Sequence, residues 1–243
     1  MLCFILLMQN YSYNVPRQGT RDKNMYKLVI FDLDGTLLDT IEDITNALNH
    51  ALSSCGCRTV SLQECRKLVG NGISNLLRDA LPPECKSDEM HAAMKDAFMP
   101  YYIEHMSDCT KPYAGIPEVL KRLSSEGVAL AVASNKFQKG TEELIKRFFG
   151  DISFVKVLGQ REGFPIKPDA GVVFEAMEAV PGIQKDEVLY CGDSDVDIKT
   201  GNNAGVKTLG VTWGFRTQEQ LEAHNPWKII HEVSEIADSI LNN

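Results

Sequence analysis

A break in rhythm constrains this chain more than anything else in it. Lys27-Leu-Val-Ile-Phe-Asp32 is a short apolar run bounded by Gly35, and it reads as a strand buried on both faces. Residues 40–108 then contain no strand-like run. Ile41, Ile44, Leu48, Ala51 and Leu52 fall on one helical face, and further helices are predicted over 62–68, 73–81 and 89–106. Thr40, with Asp43 three residues on, resembles a capping box that opens the first helix. After Lys111-Pro112-Tyr113-Ala114-Gly115 the pattern alternates. Helices are predicted over 116–125, 141–149, 170–180 and 195–204, and strands over 128–133, 154–157, 187–191 and 206–211. Strands alternating with helices give a parallel sheet covered on both faces. The expected fold is α/β: a Rossmann-like parallel-sheet core, residues 25–38 and 112–243, with a helical cap, residues 39–111, inserted after the first strand.

Charge narrows the classes of function. Lys+Arg number 25 against 33 Asp+Glu, a formal charge of −8, which argues against a general nucleic-acid binder. A small anionic substrate is not excluded, because a few local charges decide that. The cysteines are odd in number and form no C-x-x-C, so they are expected to be reduced thiols in a cytoplasmic protein. Cys55-Gly56-Cys57 has no second Cys/His pair at zinc-like spacing. The apolar run from Leu2 to Met8 is far shorter than the roughly 20 residues that span a bilayer, and it lacks a basic leader and a cleavage site. Residues 1–24 are expected to be a disordered extension, or upstream sequence read from too early a start codon. Neither a membrane nor a nucleic acid is expected as a partner.

In open α/β sheets ligands bind at the carboxyl ends of the strands. The polar residues there are Asp32 and Asp34, Ser134 and Asn135, and Asp193 with Asp195 and Asp197; Lys167 lies in a loop on the same side. Side chains at i and i+2 of a strand share a face, so Asp32 and Asp34 can converge. Two carboxylates about 4 Å apart repel by up to roughly 4 kcal/mol at an effective dielectric near 20, so something must offset them. A divalent cation does so, with Asp193 and Asp197 adding oxygens, and hard oxygen ligands in this number suit Mg²⁺. Ser134, with backbone N–H groups at the next helix entry, can hold a phosphate oxygen or simply cap the helix. Lys167, in the otherwise uncharged loop 163–168, is either a surface lysine or part of the same edge.

Four motifs in order, FDLDGTLLDT at 31–40, VASNK at 132–136, Lys167 in IKPD and CGDSDVDIKTGNNAG at 191–205, resemble the haloacid dehalogenase superfamily of phosphohydrolases. LVGNGISNLL at 68–77 and GVTWGFR at 210–216 are similar to its phosphoglycolate phosphatase branch. The resemblance runs over about residues 25 to 215. It implies that Asp32 attacks phosphorus to form an aspartyl-phosphate, and that Asp34 protonates the leaving oxygen and later deprotonates water. It implies Mg²⁺ held by the Asp32 carboxylate, the Asp34 backbone carbonyl and Asp193, with Asp197 at or near the metal's water shell. Ser134, the Asn135 amide and Lys167 would hold the non-bridging phosphate oxygens.

The expected activity is Mg²⁺-dependent hydrolysis of a small phosphorylated metabolite, with 2-phosphoglycolate favoured. The alternatives are a sugar-phosphate mutase of the β-phosphoglucomutase kind, a pyrophosphatase and, more distantly, a non-catalytic binding protein on the same fold. Within the cap, Gly70-Asn71-Gly72 is either an interhelix turn or a loop over the substrate, which makes Asn71 and Gly72 candidate contacts. Trp213 packs behind the site or at the core edge, and the five histidines form no H-x-x-x-H pair. The expected assembly is a monomer or a homodimer.

Overall fold

The computed structural model describes residues 26–242, so the expectation for residues 1–24 lies outside the described residues. At its centre β1 (Leu28–Phe31) is flanked in parallel by β4 (Ala129–Phe137) and β6 (Val188–Gly192). With β5 (Lys156–Gln160), β7 (Lys207–Val211) and β8 (Lys228–Ile230) they form one six-stranded parallel sheet in the order β5-β4-β1-β6-β7-β8. Every residue of β1 is buried, because each face of a central strand meets a helical layer. Val29 and Phe31 pack with α5 (Ile116–Ser125), α6 (Gln138–Phe149) and α10 (Ser234–Leu241). Leu28 and Ile30 pack on the opposite side with α7 (Gly171–Met177). The chain order reverses on either side of β1, with β4 and β5 to one side and β6 to β8 to the other. That reversal opens a crevice beyond the carboxyl end of β1, where a doubly wound sheet binds its ligand.

Between β2 (Leu38–Asp39) and β3 (Lys111–Pro112) lie four helices: α1 (Ile41–Ser54), α2 (Leu62–Leu68), α3 (Gly72–Ala80) and α4 (Asp88–His105). α1 buries Ile44, Ala47, Leu48, Ala51 and Leu52 in one cluster with Met94, Phe98 and Tyr102 of α4. Ser61 opens α2 with a reciprocal capping box to Glu64, and the Ser87 side chain caps α4. β2 and β3 pair antiparallel, so the outgoing and returning linkers of the insert are tied together near the carboxyl end of β1.

The expected capping box at Thr40 does not form. α1 begins after Thr40, but the Thr40 hydroxyl makes no capping bond. Asp43 turns to the returning linker, accepting hydrogen bonds from Cys109 N (3.0 Å), Thr110 N (2.8 Å) and Thr110 Oγ1 (2.7 Å). The buried Thr110 donors need an acceptor that no sheet supplies, and a tertiary contact replaces the local one.

Five other features depart from the sequence reading. β4 runs on through Ser134, Asn135 and Lys136 to Phe137, because these polar residues are buried at the site instead of starting a loop. β5 is displaced to 156–160 and α7 is shorter than expected. The two-residue strands β2 and β3 are too short to carry a periodicity. After α8 (Asp195–Ala204) and β7, the chain adds α9 (Gln218–Glu222), β8 and α10, which close the sheet edge. Among the described residues no helix is long and apolar enough to cross a membrane, and the six described cysteines are free thiols.

Candidate active site

Two buried lysines organise the carboxylates at the end of β1. Lys167 Nζ donates to Asp32 Oδ1 (2.8 Å), Asp197 Oδ1 (2.7 Å), the Ala133 carbonyl (2.9 Å) and Tyr190 Oη (3.1 Å). Only 3% of its side chain is exposed, so the charge is balanced by its partners and not by water. Burial works against the ammonium, but Asp197 and Asp32 outweigh it and hold the Lys167 pKa well above the ordinary lysine value. Lys136 Nζ donates to Asp34 Oδ1 (2.9 Å) and to Tyr102 Oη, which α4 brings down from the cap. Burial again opposes the charge, and Asp34 with Tyr102 holds the Lys136 pKa above its usual value. Burial pushes the Tyr102 phenol up to about 12, so it keeps its proton.

Asp32, Asp193 and Asp197 are buried, and each offers an oxygen within 4.8 Å of the others. Burial, reinforced by Asp197 and opposed by Lys167, pushes the Asp32 carboxyl up to about 7. Burial, then the charges of Asp197 and Asp32, raises Asp193 well above the carboxylate range. Three acids held this way suit a divalent cation, which favours their ionised forms. The donor set fits. Asp32 Oδ2 carries no hydrogen bond among the described residues, while Thr36 Oγ1 and Phe215 N fix the two oxygens of Asp193 at 3.3 and 2.6 Å. Asp197 is more fully committed, with Oδ1 on Lys167 and Oδ2 accepting from Ser194 Oγ (2.6 Å) and Ser194 N (3.0 Å). Gly35, at φ +92°, lies so close to Asp193 that a Cβ there would meet its Oδ2 at 2.4 Å. A side chain at position 35 would therefore clash with the carboxylate as well as strain the turn.

Ser134 and Asn135 lie on the same edge. The Ser134 hydroxyl accepts from Lys136 N at 3.2 Å. The Asn135 side chain is spent on the backbone: Nδ2 donates to the Gly70 and Lys167 carbonyls, and Oδ1 accepts from Lys167 N. Asn135 thus orients Lys167 and also holds the cap loop. Gly72 lines the cavity, whereas Asn71 is exposed at the start of α3 and is not part of the lining. A second hold on the cap comes from Arg216, whose Nη1 and Nη2 donate to the Arg66 and Val69 carbonyls at the end of α2, both at 2.7 Å. Trp213 Nε1 donates to the Thr36 carbonyl at 3.1 Å, which places the ring behind the loop that follows Asp32.

Sequence reasoning passed over Lys136, Tyr102, Tyr190 and Arg216. Lys136 had a signal, since it stands two residues beyond Ser134 on the same strand. Tyr102 had none, being one aromatic residue on a helix that buries several. Lys136 and Tyr102 line the cavity over the carboxylates, which is walled on the cap side by Ile44, Val69, Ile73, Leu76, Phe98 and Tyr102.

This site, at the switch point of a parallel sheet and under a helical insert, matches one known family. The sequence pattern of the haloacid dehalogenase-like hydrolases fits residues 29–211, and the chain belongs to that family. Within it the chain stands with the phosphatases. It is 31% identical over 219 residues to the phosphoglycolate phosphatase of Vibrio parahaemolyticus, covering 88% of this chain and 96% of that one. It is 32% identical over 189 residues to the phosphoglycolate phosphatase of Aquifex aeolicus, covering 78% and 86%. A crystal structure from Lactobacillus delbrueckii subsp. bulgaricus, which carries the provisional name phosphoglycolate phosphatase, superposes with a TM-score of 0.84 at 31% identity, covering 90% of this chain and all of that one.

Proposed function

We propose that the chain is a Mg²⁺-dependent phosphatase that hydrolyses a small phosphate monoester, 2-phosphoglycolate in first place, through an aspartyl-phosphate on Asp32. The observation that carries this reading is the division of labour between neighbouring carboxylates. Asp32 is held by Lys167 with its second oxygen unbonded, while Asp34 has one oxygen on Lys136 and the other left for the leaving group. An Asp32 oxygen attacks phosphorus, the bond from phosphorus to the ester oxygen breaks, and Asp34 gives that oxygen its proton. Water then attacks phosphorus, Asp34 takes the proton, and Asp32 leaves as a carboxylate. Ser134, the Asn135 backbone amide and Lys167 face the non-bridging oxygens as charge moves onto them. Mg²⁺, held by Asp32, the Asp34 carbonyl and Asp193 with Asp197 behind, supplies positive charge that screens two anions from each other. The names of the relatives support 2-phosphoglycolate as substrate.

The test is steady-state release of inorganic phosphate from 2-phosphoglycolate, hexose phosphates, pyrophosphate and a phosphopeptide, with Mg²⁺ and after chelation. Mg²⁺-dependent release led by phosphoglycolate is expected. Isomerised hexose phosphate without free phosphate would replace the reading with a mutase, and pyrophosphate as best substrate would replace it with a pyrophosphatase.

A further inference from the structure

The cavity is strongly polar on one side only. Its cap wall is apolar except for Tyr102, and its cations are Lys136 and Lys167. Lys167 is shared among Asp32, Asp197, the Ala133 carbonyl and Tyr190, and the proposed reaction assigns it to the phosphoryl oxygens and not to the leaving group. Lys136 differs. Its ammonium has two partners, Asp34 and Tyr102, and its third N–H has none among the described residues. The Tyr102 oxygen accepts from Lys136, and its own O–H likewise finds no acceptor among the described residues. One cationic and one neutral donor thus stand unspent side by side, next to the carboxyl expected to protonate the leaving oxygen.

We propose that Lys136 and Tyr102 form a two-point fork that reads a carboxylate on the leaving group, within a few bonds of the ester oxygen. The proposal rests on the phosphatase reading and adds to it the residues that choose the substrate. A carboxylate offers two oxygens to two donors, one of them charged, and hydrogen bonds to charged groups are the strong ones. A larger polyol would set its hydroxyls against Ile73, Leu76 and Phe98, which offer no partner. Because Tyr102 comes from α4 and Lys136 from β4, the fork is complete only while the cap is seated.

The test compares ligands that differ only at this group. The kcat/KM for 2-phosphoglycolate is divided by that for ethyl phosphate, in the wild type and in Tyr102→Phe and Lys136→Gln. Binding of 3-phosphonopropionate is compared with that of propylphosphonate by calorimetry in the presence of Mg²⁺. The wild type should favour the carboxylate in both comparisons, and each variant should cut that ratio by about tenfold or more. If Lys136→Gln does not fold, Tyr102→Phe, which keeps the ring, carries the test alone. Equal losses on both ligands with the ratio unchanged would overturn the fork and leave the phosphatase reading standing. Failure to hydrolyse any phosphate ester would remove both.

Discussion

Core and cap meet in one cavity with opposite chemistry. From the core come Asp32, Asp34, Ser134, Lys136, Lys167 and Asp193, with Phe215 its one apolar side chain, while the cap brings Ile44, Val69, Ile73, Leu76 and Phe98, with Tyr102 its single polar side chain. Under the proposed function the reaction falls to the core and exclusion to the cap. Apolar walls remove water, which strengthens each ion pair beneath them and limits what can enter. The two regions should respond differently when damaged. Substitutions at the core carboxylates and Lys167 should abolish chemistry or folding, whereas substitutions where core and cap meet should redistribute preference among substrates.

The largest effect should come from the nucleophile. Asp32→Asn should lower kcat by about 10⁴-fold or more while keeping the circular dichroism of the parent, because removing a member of a catalytic unit removes the whole pathway. A folded variant with ordinary turnover would break the division between core and cap. Lys167→Ala should cost about 3–5 kcal/mol in urea unfolding, since Asp32 and Asp197 are left buried without their shared cation. A loss below about 1 kcal/mol would show that those acids are neutral without it.

The cation sharpens the contrast through pH. The raised Asp32 and Asp193 carboxyls bind protons in the folded chain that the unfolded chain has released. Without metal, the stability these two carboxyls contribute should be fully present below the ordinary carboxylate value near 4 and be lost as pH rises through about 7. Mg²⁺ competes with those protons, so it should raise Tm more at pH 8 than at pH 5. At a hundredfold excess over Kd the gain is about 2.7 kcal/mol. A rise in Tm that is the same at both pH values would show that the cation binds elsewhere.

The smallest effect belongs to the seating of the cap. Arg216→Ala removes two hydrogen bonds to the end of α2 and should lower kcat/KM about three- to tenfold. It should leave the Mg²⁺-induced rise in Tm intact. A variant that lost its cation response would mean that the cap helps to build the metal site.

The same contrast explains what the sequence could tell. Core chemistry is local: Asp32 and Asp34 are two residues apart at a strand end, and Asp193 and Asp197 open one helix, so spacing alone brings them together. The parallel alternation, the α8 bounds and the helical insert were legible for the same reason. The cap's contribution was not, because Tyr102 reaches Lys136 across 34 positions and Arg216 reaches Val69 across 147. Thr40 and Asp43 show the limit of local reading, since a plausible capping pair lost to Thr110, 67 residues away. β8 and α10 follow the last motif and pack on an edge that no spacing rule identifies.

The central claim is that phosphate passes through Asp32. Enzyme turning over 2-phosphoglycolate with Mg²⁺ should be acid-quenched, reduced with borohydride and digested, and the peptide containing residue 32 read by mass spectrometry. An aspartyl-phosphate at that position is reduced to homoserine, and the account predicts homoserine there in the wild type. Full turnover with Asp32 unmodified, or reduction at another carboxylate, would contradict it.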